Sequence, residues 1–234
     1  MTILRLVFAI FCCAATTVTV ASFTPASSAA ADSQASAEKA GKSVSVTAGY
    51  LSSLGEPTFL FVQGIFPTRP SDNIFVGAAV EAPPLWKSFY PLVTAKWLLG
   101  NRYGVDEEIT RYIETRGFTV CAGVGYGVDA WQATLRLQTA VGYWWENMYV
   151  NYSGAAAASL GTVNVANDQL VLQLSASLAF PFTSRVNALI SSEFLLRPET
   201  EINGTFENGR WYRIETNGTY GTFSIGLTVG LGSK

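Results

Sequence analysis

The sequence predicts an all-β protein: an antiparallel up-and-down transmembrane β-barrel of about ten strands, with eight as the alternative count. Three observations lead to this prediction. Apolar side chains alternate with small or polar ones along much of the chain, which is the period of a β-strand. Charged residues make up only 14% of the 234 residues, whereas an average soluble domain contains roughly 25%. Beyond the N-terminus, the sequence contains no uninterrupted run of about 18 apolar residues, so a transmembrane helix is not expected there.

The first 31 residues have the three-part layout of a secretory signal peptide. Arg5 supplies the positive charge, an apolar run follows, and small residues lead to an A-x-A cleavage site at Ala29-Ala30-Ala31. An uncleaved anchor helix is the alternative interpretation. Removal of the signal takes one cation and no acid, so the formal net charge changes from −2 to −3. We therefore expect an exported protein.

Cleavage at this site leaves Cys121 as the one cysteine of the mature chain, so no intrachain disulfide is expected. The charge balance shows no basic excess of the kind that nucleic-acid binding requires, and we expect no nucleic-acid partner. The predicted organisation is a signal peptide at 1–31, a flexible segment at 32–42 and a β-barrel domain at 43–234.

Turn residues divide the mature chain into strand-like segments. The ten candidate strands are 43–53, 58–66, 73–82, 89–100, 118–128, 130–145, 148–161, 167–180, 185–198 and 220–232. The stretch 104–117 has apolar residues at helical spacing, with acids before them and Arg116-Gly117 at the end. We expect a short helix or an irregular loop there; a hairpin that extends the neighbouring strands is the alternative.

Sorting each strand by parity gives two chemically distinct faces. One face carries large apolar residues, among them Val46, Val76, Trp97, Leu172 and Ile225. The other carries small and amide side chains, with the charged residues Glu81, Lys96, Arg136 and Glu193 among them. A solvated exterior with so few charges would be unusual, whereas a narrow lumen needs small groups that find polar partners. We therefore predict that the apolar face meets lipid.

Tryptophan and tyrosine cluster near the predicted strand ends, as they do in the interfacial girdles of membrane barrels. The tryptophans are Trp86, Trp97, Trp131, Trp144, Trp145 and Trp211. With these features the chain resembles the small outer-membrane β-barrel proteins of Gram-negative bacteria over nearly its whole mature length. The resemblance is one of pattern and not of a sequence motif. It implies an outer-membrane location, with outer-membrane lipid and the barrel assembly machinery as partners.

The residues of common catalytic and metal sites are missing. The chain has no histidine, which excludes Ser-His-Asp and Cys-His catalysis and every His-ligated metal site. One mature cysteine cannot form a metal cluster. The glycines at 123, 125 and 127 follow the strand period and not the spacing of a phosphate-binding loop. We expect no enzyme activity, no catalytic residues, no metal and no cofactor.

The four charges on the polar face form a candidate site. Glu81, Lys96, Arg136 and Glu193 sum to zero, and in a narrow lumen they should pair or line water. One interpretation is an ion-pair constriction in a narrow pore. The other, which we favour, is a closed lumen with internal hydrogen bonds, because small barrels fill their own interior.

Two long polar segments are candidate surface loops, at 153–167 and 198–218, and Trp211 and Tyr212 mark the second as a recognition loop. We therefore predict a structural or surface-binding role. The alternatives are the narrow pore and a secreted soluble barrel that binds an apolar ligand; the soluble barrel would place Leu135 and Leu172 inside. No ligand or partner follows from the residues.

Overall fold

The computed structural model describes residues 42–53, 58–61, 64–66, 73–86, 88–100, 102–104, 111–130, 132–152, 163–205, 211–216 and 218–231. The predicted signal peptide and all but the last residue of the flexible segment lie outside these ranges. The described chain contains no helix that is long and apolar enough to cross a membrane. Its strands are β1 (Ser43–Ser53), β2 (Thr58–Phe61), β3 (Gly64–Phe66), β4 (Asn73–Glu81), β5 (Phe89–Leu98), β6 (Arg102–Gly104), β7 (Arg111–Ala130), β8 (Ala133–Tyr152), β9 (Val163–Ala166), β10 (Gln169–Pro181), β11 (Val186–Leu196), β12 (Thr200–Thr205), β13 (Trp211–Thr216) and β14 (Thr219–Gly230).

Eight strands close into an antiparallel barrel. The ring runs β1, β4, β5, β7, β8, β10, β11, β14, and β14 pairs with β1 to complete it. Neighbours in the ring follow one another along the chain, so the connectivity is up-and-down. β6 and β9 pair with parts of β7 and β8 beyond the ring and bring that sheet to ten strands. The predicted antiparallel barrel is confirmed, with eight strands in its wall.

The two ends of the barrel differ in their connections. We call the end where Ser43 pairs with Gly230 the turn end; its connections are short, at 82–88, 131–132 and 182–185. We call the opposite end the loop end; its connections are longer, at 54–72, 99–110, 153–168 and 197–218. Membrane barrels have the same asymmetry, with short turns on the periplasmic side and long loops outside the cell.

The stretch 104–117 does not form the predicted helix or loop where it is described. Arg111 to Gly117 belong to β7, and Tyr103 of β6 pairs with Ile113. The hairpin alternative was therefore the correct one for this part, because pairing with both neighbours satisfies the backbone groups of β7. Residues 105–110 lie outside the described ranges.

The predicted connection at Glu146-Asn147 is also wrong. β8 continues without interruption to Tyr152, and Glu146 pairs with Gly117 in the register of β7. Residues 148–152 therefore extend the preceding strand and are not the start of a new one. Long strands of this kind carry β7 and β8 beyond the ring at the loop end.

A second sheet forms from the first and last connections of the loop end. Its order is β12, β13, β2, β3, and Tyr212 of β13 pairs with Phe61 of β2. Two predictions are corrected here: the stretch 58–66 is not part of the barrel wall, and much of 198–218 is a hairpin. We call this four-strand unit the loop-end sheet. Of the other predicted loop, 153–167, the structure describes β9 and Asn167.

The observed faces match the predicted ones. Outward side chains are apolar and exposed, as Val46, Val141 and Leu170 show with 56%, 65% and 69% of their surface accessible. Inward side chains such as Gln173 and Thr228 are buried. Leu172 is exposed on the outer face, contrary to the soluble-barrel alternative. Leu135 is buried, but it has the outward parity of Leu137 and pairs with the outward residues Val128 and Leu178.

Aromatic side chains form two clusters on the outer wall. Near the loop end, the Phe118 ring lies 6.2 Å from Trp97 and 5.7 Å from Trp145, centroid to centroid. Near the turn end, the Phe89 ring lies 5.7 Å from Trp86 and 4.8 Å from Tyr126. We call these the upper and lower aromatic clusters. Their positions match the girdles of a membrane barrel.

Candidate functional site: the barrel lumen and the loop-end sheet

The first ion pair of the lumen lies at the turn end. Arg136 Nη1 is 3.0 Å from Oε1 and 2.8 Å from Oε2 of Glu81. The Ser43 hydroxyl donates to Glu81 Oε2 over 2.7 Å, and Gln138 Nε2 donates to Oε1 over 3.2 Å. Both charged side chains are largely buried, and the carboxylate is surrounded by donors. Such a pair is neutral and leaves no strong acceptor open to a passing ion.

The ring of Tyr90 fills the lumen beside this pair. Gln138 Nε2 donates to its hydroxyl over 3.2 Å, and the Ser175 hydroxyl donates to Gln138 Oε1 over 3.0 Å. Gly125 leaves the room that the ring occupies, because a Cβ built there would lie 2.3 Å from Tyr90 Cζ. A residue larger than glycine at position 125 would therefore clash with the tyrosine ring inside the barrel.

A second ion pair joins β5 to β11 across the middle of the barrel. Lys96 Nζ lies 2.6 Å from Glu193 Oε2, with the two side chains 5% and 10% exposed. Nearby, the Thr94 hydroxyl donates to Gln173 Oε1 over 2.9 Å. Hydroxyl pairs link other neighbouring strands: Ser45 with Thr228 at 2.8 Å and Ser191 with Ser224 at 2.5 Å. The polar interior therefore binds to itself.

Towards the loop end, the lumen turns apolar. Leu98 and Leu195 each lie two residues beyond a member of the second ion pair, and both are buried. They belong to one cluster of buried residues, which is Leu51, Phe75, Leu98, Cys121, Ala140, Trp144, Val171, Leu195 and Tyr220. These residues share the inward parity of the polar side chains below them, so the same face of each strand changes from polar to apolar along its length.

A third ion pair lies just beyond this apolar layer. Arg197 Nη1 is 2.5 Å from Glu146 Oε2, and Arg197 Nη2 is 2.6 Å from the Tyr220 hydroxyl. The guanidinium lies 4.6 Å from the Trp144 ring centroid and 4.7 Å from that of Tyr220. Asn167 Nδ2 donates to the same carboxylate oxygen over 3.1 Å.

Charge is retained at this third pair in spite of burial. Burial disfavours the charged guanidinium, but the Glu146 carboxylate and the Tyr220 hydroxyl outweigh it and raise the pKa of Arg197 above its ordinary value. The two aromatic rings add cation–π contacts to the ion pair. Arg197 therefore stays charged and fixed between Trp144 and Tyr220 at the loop end of the lumen.

The cavity between the two lower ion pairs is small. A cavity of about 40 Å³ in the lumen is lined by both lower ion pairs and by Thr94, among others. A water molecule needs on the order of 10–15 Å³ of such volume, so the cavity holds a few waters at most. Within the described residues, no group of three or more Cys, Asp or Glu side chains is placed to hold a metal ion.

The predicted site residues all lie in described strands. The structure divides Glu81, Lys96, Arg136 and Glu193 into two separate pairs on the inner wall. Trp211 and Tyr212 lie in β13 of the loop-end sheet, where the structure gives the backbone pairing and not the side-chain contacts.

Sequence reasoning missed the third pair, although its signal was present. Arg197 has the same parity as Glu193, and Glu146 has the same parity as Arg136. The predicted turn at Glu146 ends the strand before this parity can be followed. The prediction that Trp144 belongs to the interfacial girdle is wrong, because its side chain is fully buried in the lumen.

Comparison with solved structures identifies the same fold. The outer membrane protein OprG from Pseudomonas aeruginosa matches with a TM-score of 0.58 at 7% identity, over 84% of this chain and 98% of that one. A major outer membrane protein from Thermus thermophilus matches with a TM-score of 0.51 at 11% identity, over 80% and 98%. No family model and no curated protein sequence matches. The chain therefore has the fold of the outer-membrane β-barrel proteins.

Proposed function

We propose that the chain is an integral outer-membrane β-barrel that keeps its lumen closed and presents the loop-end sheet outside the cell as a binding surface. The observation that carries the proposal is the contrast between the two ends of the molecule. The lumen holds side chains that bond to one another, whereas the loop end carries an additional sheet that the barrel does not need for closure.

The outer wall supports the membrane location. Its exposed residues are mostly large and apolar, for example Ile74, Val93 and Ile225 at 53%, 48% and 60% exposure. A continuous belt of this kind would aggregate in water but matches the hydrocarbon of a bilayer. Lipid and the barrel assembly machinery are the partners that such a location requires.

The interior supports a closed barrel. Three ion pairs cross the lumen at different heights, and an apolar layer that includes Phe75 and Trp144 lies between the second and the third. Water-filled conduction requires a continuous polar path, which this layer interrupts. The narrow pore with an ion-pair constriction is the competing function, and it predicts ion conductance.

Membrane location and orientation can be tested together. The protein is expressed with its N-terminal segment, membranes are washed at high pH, and samples are run in SDS with and without boiling. A short epitope is inserted in residues 206–210 in one variant and in the 182–185 turn in a matched control. We expect outer-membrane retention, a heat-dependent mobility shift, and antibody labelling of intact cells only for the 206–210 insertion.

Other outcomes contradict specific parts of the proposal. Recovery in a soluble fraction would reverse the face assignment and favour a ligand-binding soluble barrel. Labelling of the 182–185 insertion on intact cells would invert the orientation. Resolved ion conductance of the purified protein in a planar bilayer would favour the pore.

A further inference from the structure

The outer wall carries a groove of about 400 Å³ that crosses β7, β8, β10 and β11. Ala176 and Ser192, which pair with each other across β10 and β11, are outward-facing and line it. The remaining outward positions of β10 carry large residues: Leu170, Leu172, Leu174, Leu178 and Phe180. Small outward side chains, those of Ala176, Ser192 and Thr139 of β8, therefore line the hollow.

Larger outward side chains form the sides of the groove. Tyr126 pairs with Leu137, and Leu137 pairs with Ala176, so these residues form one row across three strands. Phe194 lines the opposite side, and Phe89 of the lower aromatic cluster lies where the row begins. The lining is mainly apolar, as a hydrophobic ligand requires.

The strand register shows that the groove runs obliquely along the outer face, from the turn end towards the middle of the wall. Phe89 is the first residue of β5 at the turn end, whereas Ser192 is the seventh residue of β11, which also starts at the turn end. A path from Phe89 to Ser192 therefore leads from the lower aromatic cluster towards the middle of the apolar belt. An acyl chain whose headgroup lies at the turn-end surface would follow this path.

We propose that this wall groove binds one acyl chain of a phospholipid from the leaflet at the turn end. The inference rests on the proposed function, because it requires the barrel to be embedded in the membrane. The groove is continuous with the lipid-facing belt, and an unfilled hollow there would lose dispersion contacts on one side. A flexible hydrocarbon chain would fill it against a lining that is mainly apolar, with Gln138, Thr139, Ser175 and Ser192 as its polar residues.

Substitutions that fill the groove test the proposal. Ala176→Leu and Ser192→Leu replace the small side chains, and Ala176→Val is a milder version. Ala48→Leu is the matched control, since Ala48 is exposed on the outer face of β1, away from the groove. Each protein is extracted from outer membranes in mild detergent and examined by native mass spectrometry for bound phospholipid.

We expect one retained phospholipid on the wild-type protein and on Ala48→Leu, and at least a tenfold lower retained fraction in Ala176→Leu and Ser192→Leu. Equal retention in all variants, or none in the wild type, would overturn the proposal. A lipopolysaccharide mass would overturn the leaflet assignment. A dimer that Ala176→Leu dissociates would show that a second copy occupies the groove.

The heat-dependent mobility shift of each protein tests the membrane barrel separately from the lipid site. Absence of a mobility shift in the wild-type protein would overturn both the proposed membrane barrel and the lipid site. A normal shift in every variant, with unchanged lipid retention, would overturn the lipid site alone. Retention is compared only among variants that show the shift, and Ala176→Val provides the comparison if the leucine variants fail to fold.

Discussion

Arg197 and Glu146 form an ion pair with Nη1 2.5 Å from Oε2 and with side chains only 1% and 3% exposed. Removal of one partner would leave the other charge buried without compensation, which costs about 3–5 kcal/mol. We therefore expect Glu146→Gln to lower the free energy of unfolding by about this amount, measured by urea unfolding in vesicles. The double variant Glu146→Leu/Arg197→Met should lose less stability than Glu146→Leu alone or Arg197→Met alone. A double variant as unstable as the sum of its parts would contradict a coupled pair.

The pair between Arg213 and Glu201 should behave differently. Its Nη2–Oε2 distance is 2.7 Å, but the side chains are 38% and 44% exposed. Exposed pairs contribute about 0–1 kcal/mol. We expect Glu201→Gln to change the free energy of unfolding by less than about 1 kcal/mol in the same urea titration. A loss as large as that of Glu146→Gln would show that the loop-end sheet is buried in the native protein.

Gly125 and Gly127 should respond differently to the same substitution. A Cβ at Gly125 would lie 2.3 Å from Tyr90 Cζ, whereas at Gly127 the nearest atoms are 3.8 Å away. Overpacking costs about 1–3 kcal/mol, so we expect Gly125→Ala to destabilise the barrel by this amount. Gly127→Ala should be neutral or stabilising by about 0.4–1 kcal/mol, since it restricts the unfolded chain. Equal effects in thermal unfolding would argue against the Tyr90 position.

Depth in the membrane predicts the cost of a charge on the outer wall. Val141 lies on β8 midway between Leu137, which pairs with Tyr126, and Trp145, which pairs with Phe118. Arginine at the bilayer midplane costs about 2–4 kcal/mol, falling to about 0–1 near the interface. We therefore expect Val141→Arg to be far more destabilising than Leu231→Arg, which changes an exposed residue at the turn end. Refolding yield and urea unfolding in vesicles measure both, and equal tolerance would contradict a bilayer around the wall.

Conductance should depend on the apolar layer more than on the lower ion pair. Arg136→Ala frees space beside Glu81, but Trp144 and its neighbours still seal the lumen towards the loop end. We expect no resolved conductance from the wild type or from Arg136→Ala in a planar bilayer. The double variant Arg136→Ala/Trp144→Ala should conduct. Conductance of Arg136→Ala alone would show that the lower pair is the gate.

Strand parity was enough to predict much of this molecule. The alternation placed Glu81, Lys96, Arg136 and Glu193 on one face, and the low charge content decided that this face is the inner one. Phe75 has the parity of Glu81, and Leu98 that of Lys96, so the apolar layer in the lumen follows from the same count.

What the sequence did not reveal depends on contacts between distant segments. Glu146 resembles a turn residue because Asn follows it, and only pairing of β8 with β7 keeps the strand extended there. The stretch 58–66 has strand periodicity, but periodicity does not indicate which strand is its neighbour. Its pairing with β13, some 150 residues away in the chain, is a tertiary choice that local propensity does not contain.

The loop-end sheet joins β2, from the first connection of the barrel, to β13, from the last. The neighbouring strands β1 and β14 pair with each other and complete the ring, and that pairing lowers the loop-closure entropy that β2 and β13 must overcome to pair. We therefore expect the loop-end sheet to form when the ring is complete. The presence of the loop-end sheet would thus indicate that the barrel has closed. A receptor or antibody that recognises β2 and β13 together would bind finished barrels and not unfinished ones.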